Sequence, residues 1–208
     1  QALSDALSLD FRRIQFTPDL LPSDLLGTQI YNPKEGTFST HKGPIFTNVV
    51  LADEINRAPA KVQSALLEAM AERQVTLDGT SHELPESFMV LATQNPIEQE
   101  GPYPLPEAQA DRFLMKVRID YPSAGDELAI LRMKSASTPT IEAVASHDDL
   151  MAARDVVRTV RMEGVVEEYI VQLVQATRPG QVGGGAVAAK LIEVGASPRA
   201  TLALGVAA

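Results

Sequence analysis

The fold is decided by the stretch Val49-Val50-Leu51-Ala52-Asp53-Glu54, in which four apolar residues run directly into two adjacent carboxylates. A parallel strand that is buried on both faces is continuously apolar, and the ligands of such sheets bind where the strands end. The pattern therefore predicts a central strand that delivers two acids to a chemical site. In phosphoryl-transfer enzymes one such carboxylate holds Mg2+ and a second residue orients or activates the attacking water. The alternative is an ordinary strand followed by a solvated acidic turn.

A second apolar strand is predicted over FMVLA (residues 88–92), and it is followed by Thr93-Gln94-Asn95 before Pro96 stops it. If the two strands share one edge of a sheet, the amide of Asn95 lies beside Glu54. There it can hydrogen-bond both the attacking water and a terminal phosphate oxygen. The alternative is an asparagine that serves a turn before proline.

A third candidate lies in PEAQADRF (residues 106–113), where Arg112 follows Asp111 just before an apolar run resumes. A guanidinium in such a place can stabilise the charge of a phosphoryl-transfer transition state, often from a neighbouring subunit. The alternative is a structural pair of Asp111 and Arg112 at an exposed helix end.

Seven segments, spread over nearly the whole chain, resemble the MoxR family of AAA+ ATPases. They are FTPDLLPSD (16–24), GPIF (43–46), LADEINRA (51–58), QSALLEAM (63–70), ATQNPIEQEG (92–101), PLPEAQ (104–109) and GASPRA (195–200). Each segment alone is weak evidence, but together they follow the family's order, which makes the resemblance specific.

The resemblance implies a role for each of five residues. Asp53 matches the Walker B magnesium position and Glu54 the catalytic glutamate. Asn95 matches sensor 1, Arg112 the arginine finger, and Arg199 the sensor 2 arginine of the lid. The implied cofactors are ATP and Mg2+, with Asp53, Glu54, Asn95 and Arg199 around the nucleotide. For Arg199 the alternative is a surface arginine at a helix start, and the sequence does not decide whether it reaches its own nucleotide or the neighbour's.

The implied function is that of a chaperone-like ATPase that remodels protein clients as a homo-oligomeric, hexameric ring, with a partner bearing a von Willebrand A domain. A non-catalytic assembly module, in which nucleotide only stabilises an oligomer, is one alternative, and a chelatase-type AAA+ subunit is another. The net charge is −9, from 18 basic and 27 acidic residues. This acidic balance argues against nucleic acid as the main partner and disfavours a DNA motor.

The predicted fold class is α/β: a AAA+ P-loop NTPase core over residues 1–122, with a parallel sheet and helices on both faces, followed by a helical lid over residues 123–208. A helix-2 insert is expected at about 20–46, and a hairpin at about 73–84, where Asp78-Gly79 is a strong turn signal. Apolar periodicity predicts the remaining elements. They are strands at 11–16 and 113–119, helices at 1–9, 59–71, 125–134, 147–157, 164–176 and 202–208, and a glycine-rich link at 179–185.

The family's phosphate-binding loop, a glycine-rich turn with Gly-Lys-Thr or Gly-Lys-Ser, does not occur in the sequence. Residues 1–9 resemble the second half of the helix that this loop opens, and residues 202–208 resemble a lid helix that the family continues. We therefore expect an internal part of a larger ATPase, with the loop about two helical turns before Gln1. On their own these residues should bind ATP poorly and should not hydrolyse it, because the loop supplies most phosphate contacts. A natural paralogue without the loop is the alternative.

Composition narrows the classes of protein to which the chain can belong. The sequence has no cysteine, which excludes disulfides and thiolate zinc sites. No apolar run approaches the roughly 18 residues of a membrane span, and the start resembles no signal or transit peptide, so a cytoplasmic protein without a membrane span is expected. His41, His82 and His147 lie far apart, without the spacing of metal ligands.

Overall fold

The computed structural model describes residues 1–95, 103–133, 140–179 and 191–208. Its main sheet has three parallel strands in the order β1-β4-β7, namely β1 (Phe11–Gln15), β4 (Val49–Asp53) and β7 (Met89–Ala92). Gln15 pairs with Asp53, and Ala52 pairs with Ala92. The carboxyl ends of the three strands therefore meet at one edge. The predicted parallel sheet, with the strand of Asp53 at its centre, is confirmed.

The core lies between this sheet and the helix α3 (Ala60–Glu72). Val50 and Ala52 of β4 are fully buried, as are Val62 and Leu66 of α3. Burial of a valine or leucine side chain contributes about 1.5–3 kcal/mol, so this contact makes β4 the best anchored strand of the site. The helix predicted at residues 59–71 is thereby confirmed, with its bounds shifted by one residue at each end.

Two antiparallel hairpins project from this core. After the short helix α2 (Pro22–Leu26), β2 (Gly27–Asn32) pairs with β3 (Thr37–Lys42) within the predicted insert. The second hairpin joins β5 (Gln74–Leu77) to β6 (Thr80–Glu83). Its turn residues Asp78 and Gly79 both have positive φ, at 48° and 82°. That geometry is the reason Asp-Gly predicts such a hairpin, and the hairpin is present where expected.

The remaining described elements are helical. They are α1 (Ala2–Ala6), a 3-10 turn at Ile55–Arg57, α4 (Glu107–Ala110), α5 (Ala124–Met133), α6 (His147–Thr159), α7 (Gly164–Ala176) and α8 (Pro198–Ala207). The helical character expected after residue 123 is confirmed. Among the helices that the structure describes, none combines the length and apolar character needed to cross a bilayer.

Helix α6 contacts the sheet at the edge opposite the carboxyl ends. Its first residue, His147, places Nε2 3.1 Å from Ser87 Oγ, and the same hydroxyl accepts a hydrogen bond from Asn48 Nδ2 at 2.7 Å. Asn48 and Ser87 lie just before β4 and β7. Arg154 adds an ion pair to Glu86. The division of the chain near residue 122 remains a prediction. Helix α6, which follows that division in the sequence, contacts Glu86 and Ser87, which precede it.

The strand predicted at residues 113–119 is wrong. These residues form no strand, and Val117 and Ile119 are 71% and 89% exposed. Alternating apolar residues become a strand only beside another strand that accepts their hydrogen bonds, and no described strand pairs with this segment.

Three further expectations need adjustment. The first helix is shorter than predicted, since it ends at Ala6 and Ser8 has a left-handed φ of 52°. The last helix starts earlier, at Pro198. Most of the link at 179–185, and residues 96–101 of the ATQNPIEQEG segment, lie outside the described residues.

Candidate functional site

The carboxylate of Asp53 stands at the end of β4 between two donors. Arg13 Nε donates to Asp53 Oδ2 at 2.9 Å, and Arg13 Nη2 contacts the same oxygen. The Thr93 hydroxyl donates to Oδ1. The hydrogen bond from Thr93, and then that from Arg13, lower the pKa of Asp53 from its ordinary value. Asp53 is therefore ionised at neutral pH, and its negative charge is paired with the Arg13 guanidinium.

Glu54 has different partners because the backbone turns sharply after the strand. Its φ is 56°, in the left-handed region that costs a residue with a side chain about 1–2 kcal/mol. Glu54 Oε2 accepts hydrogen bonds from Gln15 Nε2 at 2.6 Å and from Arg57 Nη1 at 2.9 Å. Its backbone N–H donates to Thr93 Oγ1 at 2.9 Å. The two neighbouring acids are thus held apart by separate sets of donors, as two distinct chemical duties require.

Four residues that contact the acids were missed from the sequence: Arg13, Gln15, Arg57 and Thr93. Arg13 Nη2 also donates to Gln15 Oε1 at 3.2 Å, so a continuous chain of contacts joins Asp53 to Glu54 through β1. Arg13 and Gln15 are two residues apart on one strand, and side chains at that spacing share a face. The sequence therefore indicates that Arg13 and Gln15 share a face of β1. It does not indicate which residues they contact, because that depends on β1 lying beside β4.

Asn95 lies two residues beyond Thr93 and is half-buried. Thr93 is tied to the end of β4 by two backbone bonds, from its N–H to Ala52 O at 2.9 Å and from the Ile55 N–H to its carbonyl at 3.0 Å. The structure therefore brings the segment that carries Asn95 to the predicted edge. Thr93 contacts both acidic residues, since its hydroxyl donates to the Asp53 carboxylate and accepts the backbone N–H of Glu54.

Gln63, which is 1% exposed, binds the backbone of the turn that follows Asp53 and Glu54. Gln63 Nε2 donates to Ile55 O and Ala58 O, both at 3.1 Å, and to Tyr103 O at 3.0 Å. A buried amide that serves three carbonyls fixes the path of the backbone immediately after Glu54.

Arg112 lies away from these acids. Its Nη1 donates to Leu67 O at 3.3 Å, in the second half of α3. At 1.5 Å per residue, Leu67 is about 10 Å along the helix from Ala60, where α3 begins next to the acidic turn. Arg112 is therefore tied to the second half of α3 rather than to the turn that follows Asp53 and Glu54.

Arg199 also lies in a separate group, where its partner is Asp111. Arg199 Nη1 is 3.2 Å from Asp111 Oδ2, and Ser197 Oγ donates to the same carboxylate at 2.7 and 2.8 Å. The five predicted residues consequently form two groups. Asp53, Glu54 and Asn95 lie at the sheet edge, whereas Arg199 contacts Asp111, and Arg112, the next residue in the chain, contacts Leu67.

The acidic edge suits a magnesium ion that is held mainly by its substrate. Within the described ranges there is no group of three or more Asp, Glu or His side chains that would cage a metal. Mg2+ in phosphoryl-transfer sites uses one or two carboxylates and takes its other ligands from waters and phosphates. The Asp53 carboxylate and the Thr93 hydroxyl fit that set of oxygen donors.

A parallel sheet whose central strand ends in an Asp-Glu pair, followed by a turn that carries Arg112 and a helix that carries Arg199, is the arrangement of the ATPase core of the AAA+ class. Residues 1–115 match the family described as ATPase family associated with various cellular activities (AAA). The chain is 49% identical over 98% of its length to Uncharacterized protein YeaC of Bacillus subtilis, and 48% identical over 93% to Chaperone MoxR1 of Mycobacterium tuberculosis. A crystal structure of a protein from Cytophaga hutchinsonii, at 47% identity, superposes on 99% of the chain with a TM-score of 0.86.

The chain belongs to the MoxR family of AAA+ ATPases. It spans 62% of the Bacillus relative, 52% of the Mycobacterium relative and 63% of the Cytophaga chain. What the whole protein does is therefore a matter for proposal.

Proposed function

We propose that the full-length protein hydrolyses ATP with the help of Mg2+ and uses the energy to remodel protein clients. The observation that carries the proposal is the Asp53-Glu54 pair, placed at the carboxyl end of the central strand with separate partners for each acid. The name of the Mycobacterium relative, Chaperone MoxR1, supports the chaperone part of the proposal.

In this proposal the two acids divide the work. Asp53, whose lowered pKa keeps it ionised, holds the magnesium ion. Bound Mg2+ supplies charge neutralisation to the phosphates of ATP. Glu54 accepts the proton of the attacking water, and Asn95 orients that water and a terminal phosphate oxygen.

Gln15 and Arg57 bear directly on this chemistry because both donate to the same oxygen of Glu54, Oε2. Two donors on one oxygen hold the carboxylate group in a fixed orientation, in which Oε1 is the oxygen that faces the water. Gln63 holds the turn that follows Glu54, so the distance between base and water depends on a buried amide.

Arg112 supports the oligomeric part of the proposal. It contacts the second half of α3 rather than the acids of its own chain. We propose that this guanidinium completes the site of another copy, as an arginine finger does in a homo-oligomeric ring. We propose a hexamer. We also propose that the two hairpins face the client. In the first hairpin, the rings of Tyr31 and Phe38 lie with their centroids 5.0 Å apart, and both side chains are exposed. We further propose that a partner with a von Willebrand A domain joins the assembly in the cytoplasm.

The decisive experiment replaces Glu54 by glutamine in the full-length protein. Glu54→Gln keeps the shape and the acceptor oxygen but cannot take a proton, so turnover should fall on the order of 100-fold or more while ATP binding is retained. Glu68→Gln is the matched control, because Glu68 is exposed on α3 and far from the acids. Turnover that is unchanged in Glu54→Gln, with Mg2+ dependence intact, would reject the assignment and favour a non-catalytic assembly module.

A mixing experiment tests the ring. Arg112→Ala subunits and Glu54→Gln subunits should each be nearly inactive. Mixed after demonstrated subunit exchange, they should recover part of the rate, because some interfaces pair an intact Glu54 with an intact Arg112 of the neighbour. No recovery would place Arg112 in its own subunit or in a bracing role.

A further inference from the structure

Both oxygens of the Asp53 carboxylate accept hydrogen bonds from this chain. Arg13 Nε donates to Oδ2 at 2.9 Å, and Arg13 Nη2 contacts the same oxygen. The Thr93 hydroxyl donates to Oδ1. An ionised carboxylate has about two acceptor sites on each of its oxygens. Arg13 therefore uses both sites of Oδ2, and the remaining site belongs to Oδ1, on a carboxylate whose charge is shared with a guanidinium.

A guanidinium in this place competes with a metal ion for Asp53. Two cations on one carboxylate are only a few ångströms apart, and at that distance like charges repel each other even near a protein surface. Mg2+ also needs oxygen ligands in near-octahedral geometry at about 2.1 Å, which an oxygen that accepts two N–H groups does not offer. Metal binding at Oδ2 therefore requires Arg13 to leave. The Thr93 hydroxyl is neutral and can stay.

Arg13 is able to leave Asp53 because their ion pair is exposed. The Arg13 side chain is 59% exposed and that of Asp53 is 20% exposed. An ion pair in such a place changes an equilibrium by a factor of about 5 at most. Arg13 Nη2 also donates to Gln15 Oε1 at 3.2 Å, so the guanidinium has a second acceptor on its own strand. The competition is thus weak enough to be overcome when a metal ion brings further ligands with it.

We propose that Arg13 makes the site select metal that arrives with nucleotide, by competing with free divalent cations for Asp53. The inference rests on the proposed role of Asp53 as the magnesium ligand. The phosphate oxygens of a nucleotide supply further ligands to the metal and so overcome the competition, whereas a hydrated ion has Asp53 alone. Arg13 thereby disfavours the binding of metal before nucleotide.

Mn2+ binding to the nucleotide-free, full-length protein tests the competition, with free Mn2+ measured by its electron paramagnetic resonance signal. Arg13→Gln removes the charge and keeps a polar side chain, so the Kd for Mn2+ should fall about 3- to 5-fold, which is the strength of an exposed ion pair. Arg13→Lys keeps the charge and should stay closer to the wild type. A higher Kd in Arg13→Gln would mean that Arg13 orients Asp53 for the metal, and either that result or an unchanged Kd would overturn the proposal.

Arg12→Gln is the matched control because it makes the same change in net charge one residue away. Arg12 is exposed and lies on the opposite face of β1, since neighbouring residues of a strand alternate in direction. Its replacement should leave the Kd for Mn2+ unchanged. A fall equal to that of Arg13→Gln would show a general charge effect and would refute the competition.

The Asp53→Asn background shows whether Arg13 acts through Asp53. There, Arg13→Gln should not change whatever Mn2+ binding remains, because the contact is already lost. A gain of the same size in this background would contradict the proposal. Arg13→Ala is the second variant if Arg13→Gln does not fold, and its Kd for Mn2+ should also fall.

The measurement does not depend on turnover, so the failures of the two proposals can be told apart. An ATPase whose Kd for Mn2+ is the same with and without Arg13 would refute the competition alone. A wild-type protein that does not hydrolyse ATP would sink the proposed function, while a lower Kd in Arg13→Gln would still support the competition. No measurable Mn2+ binding in either the wild type or Arg13→Gln would refute the competition as well.

Discussion

Replacement of Gln63 by leucine should destabilise the protein more than its conservative size suggests. Gln63 is 1% exposed, and its Nε2 lies 3.0 to 3.1 Å from the carbonyl oxygens of Ile55, Ala58 and Tyr103. Leucine fills nearly the same volume, so no large cavity forms. What changes is that three carbonyls lose their donor, and two of them belong to the fully buried residues Ile55 and Ala58.

The magnitude follows from those contacts. An amide NH2 has two protons, so at most two full hydrogen bonds are lost, each with a net value of about 1 kcal/mol. Leaving a buried acceptor without a partner adds about 1–3 kcal/mol, partly offset by the better burial of leucine. We expect a loss of about 2–4 kcal/mol, or a fall in Tm of roughly 5–15 °C for a chain of this size.

The assay is thermal and urea unfolding of the full-length protein, with Gln172→Leu as the matched control. Gln172 is exposed on α7, so the same chemical change there should shift the free energy of unfolding by less than about 0.5 kcal/mol. If Gln63→Leu is as stable as Gln172→Leu, the three carbonyls have other partners and the reasoning is refuted. The turn after Glu54 should also loosen, so we expect ATP turnover to fall in Gln63→Leu alone.

Two further predictions concern the site edge and α6. The pKa of Asp53 lies below its ordinary value of 3.8. The contribution of ionised Asp53 to stability is therefore complete above the unfolded pKa and is lost as pH falls through the lower folded pKa. The destabilisation by Asp53→Asn, measured by urea unfolding, should shrink from pH 7 to pH 3. A constant difference would contradict this. Ser146→Ala removes the N-cap of α6, whose hydroxyl accepts the Asp149 N–H at 3.2 Å, and should cost about 1 kcal/mol in the same assay, whereas exposed Ser64→Ala should not.

Local signals were enough for the elements whose cause is local. The apolar run before Asp53 predicts a strand because a central strand is buried on both faces. Asp78-Gly79 predicts the hairpin because both residues tolerate positive φ. The helices α3, α6 and α7 follow from apolar spacing of three and four residues, and the pairing of an Asp-Glu dipeptide with a strand end was enough to predict an acidic site.

The partners of those acids were decided only by the tertiary structure. Arg13 and Gln15 reach Asp53 and Glu54 across about 40 residues of sequence, and Asp111 reaches Ser197 across 86. No periodicity records which strand becomes the neighbour of which, since that depends on how the whole sheet and its helices pack. The same reason explains the residues 113–119, where alternation predicts a strand and the absence of a described pairing partner leaves apolar side chains exposed. Sequence therefore determined which residues are candidates for the chemistry, and packing decided which of them meet.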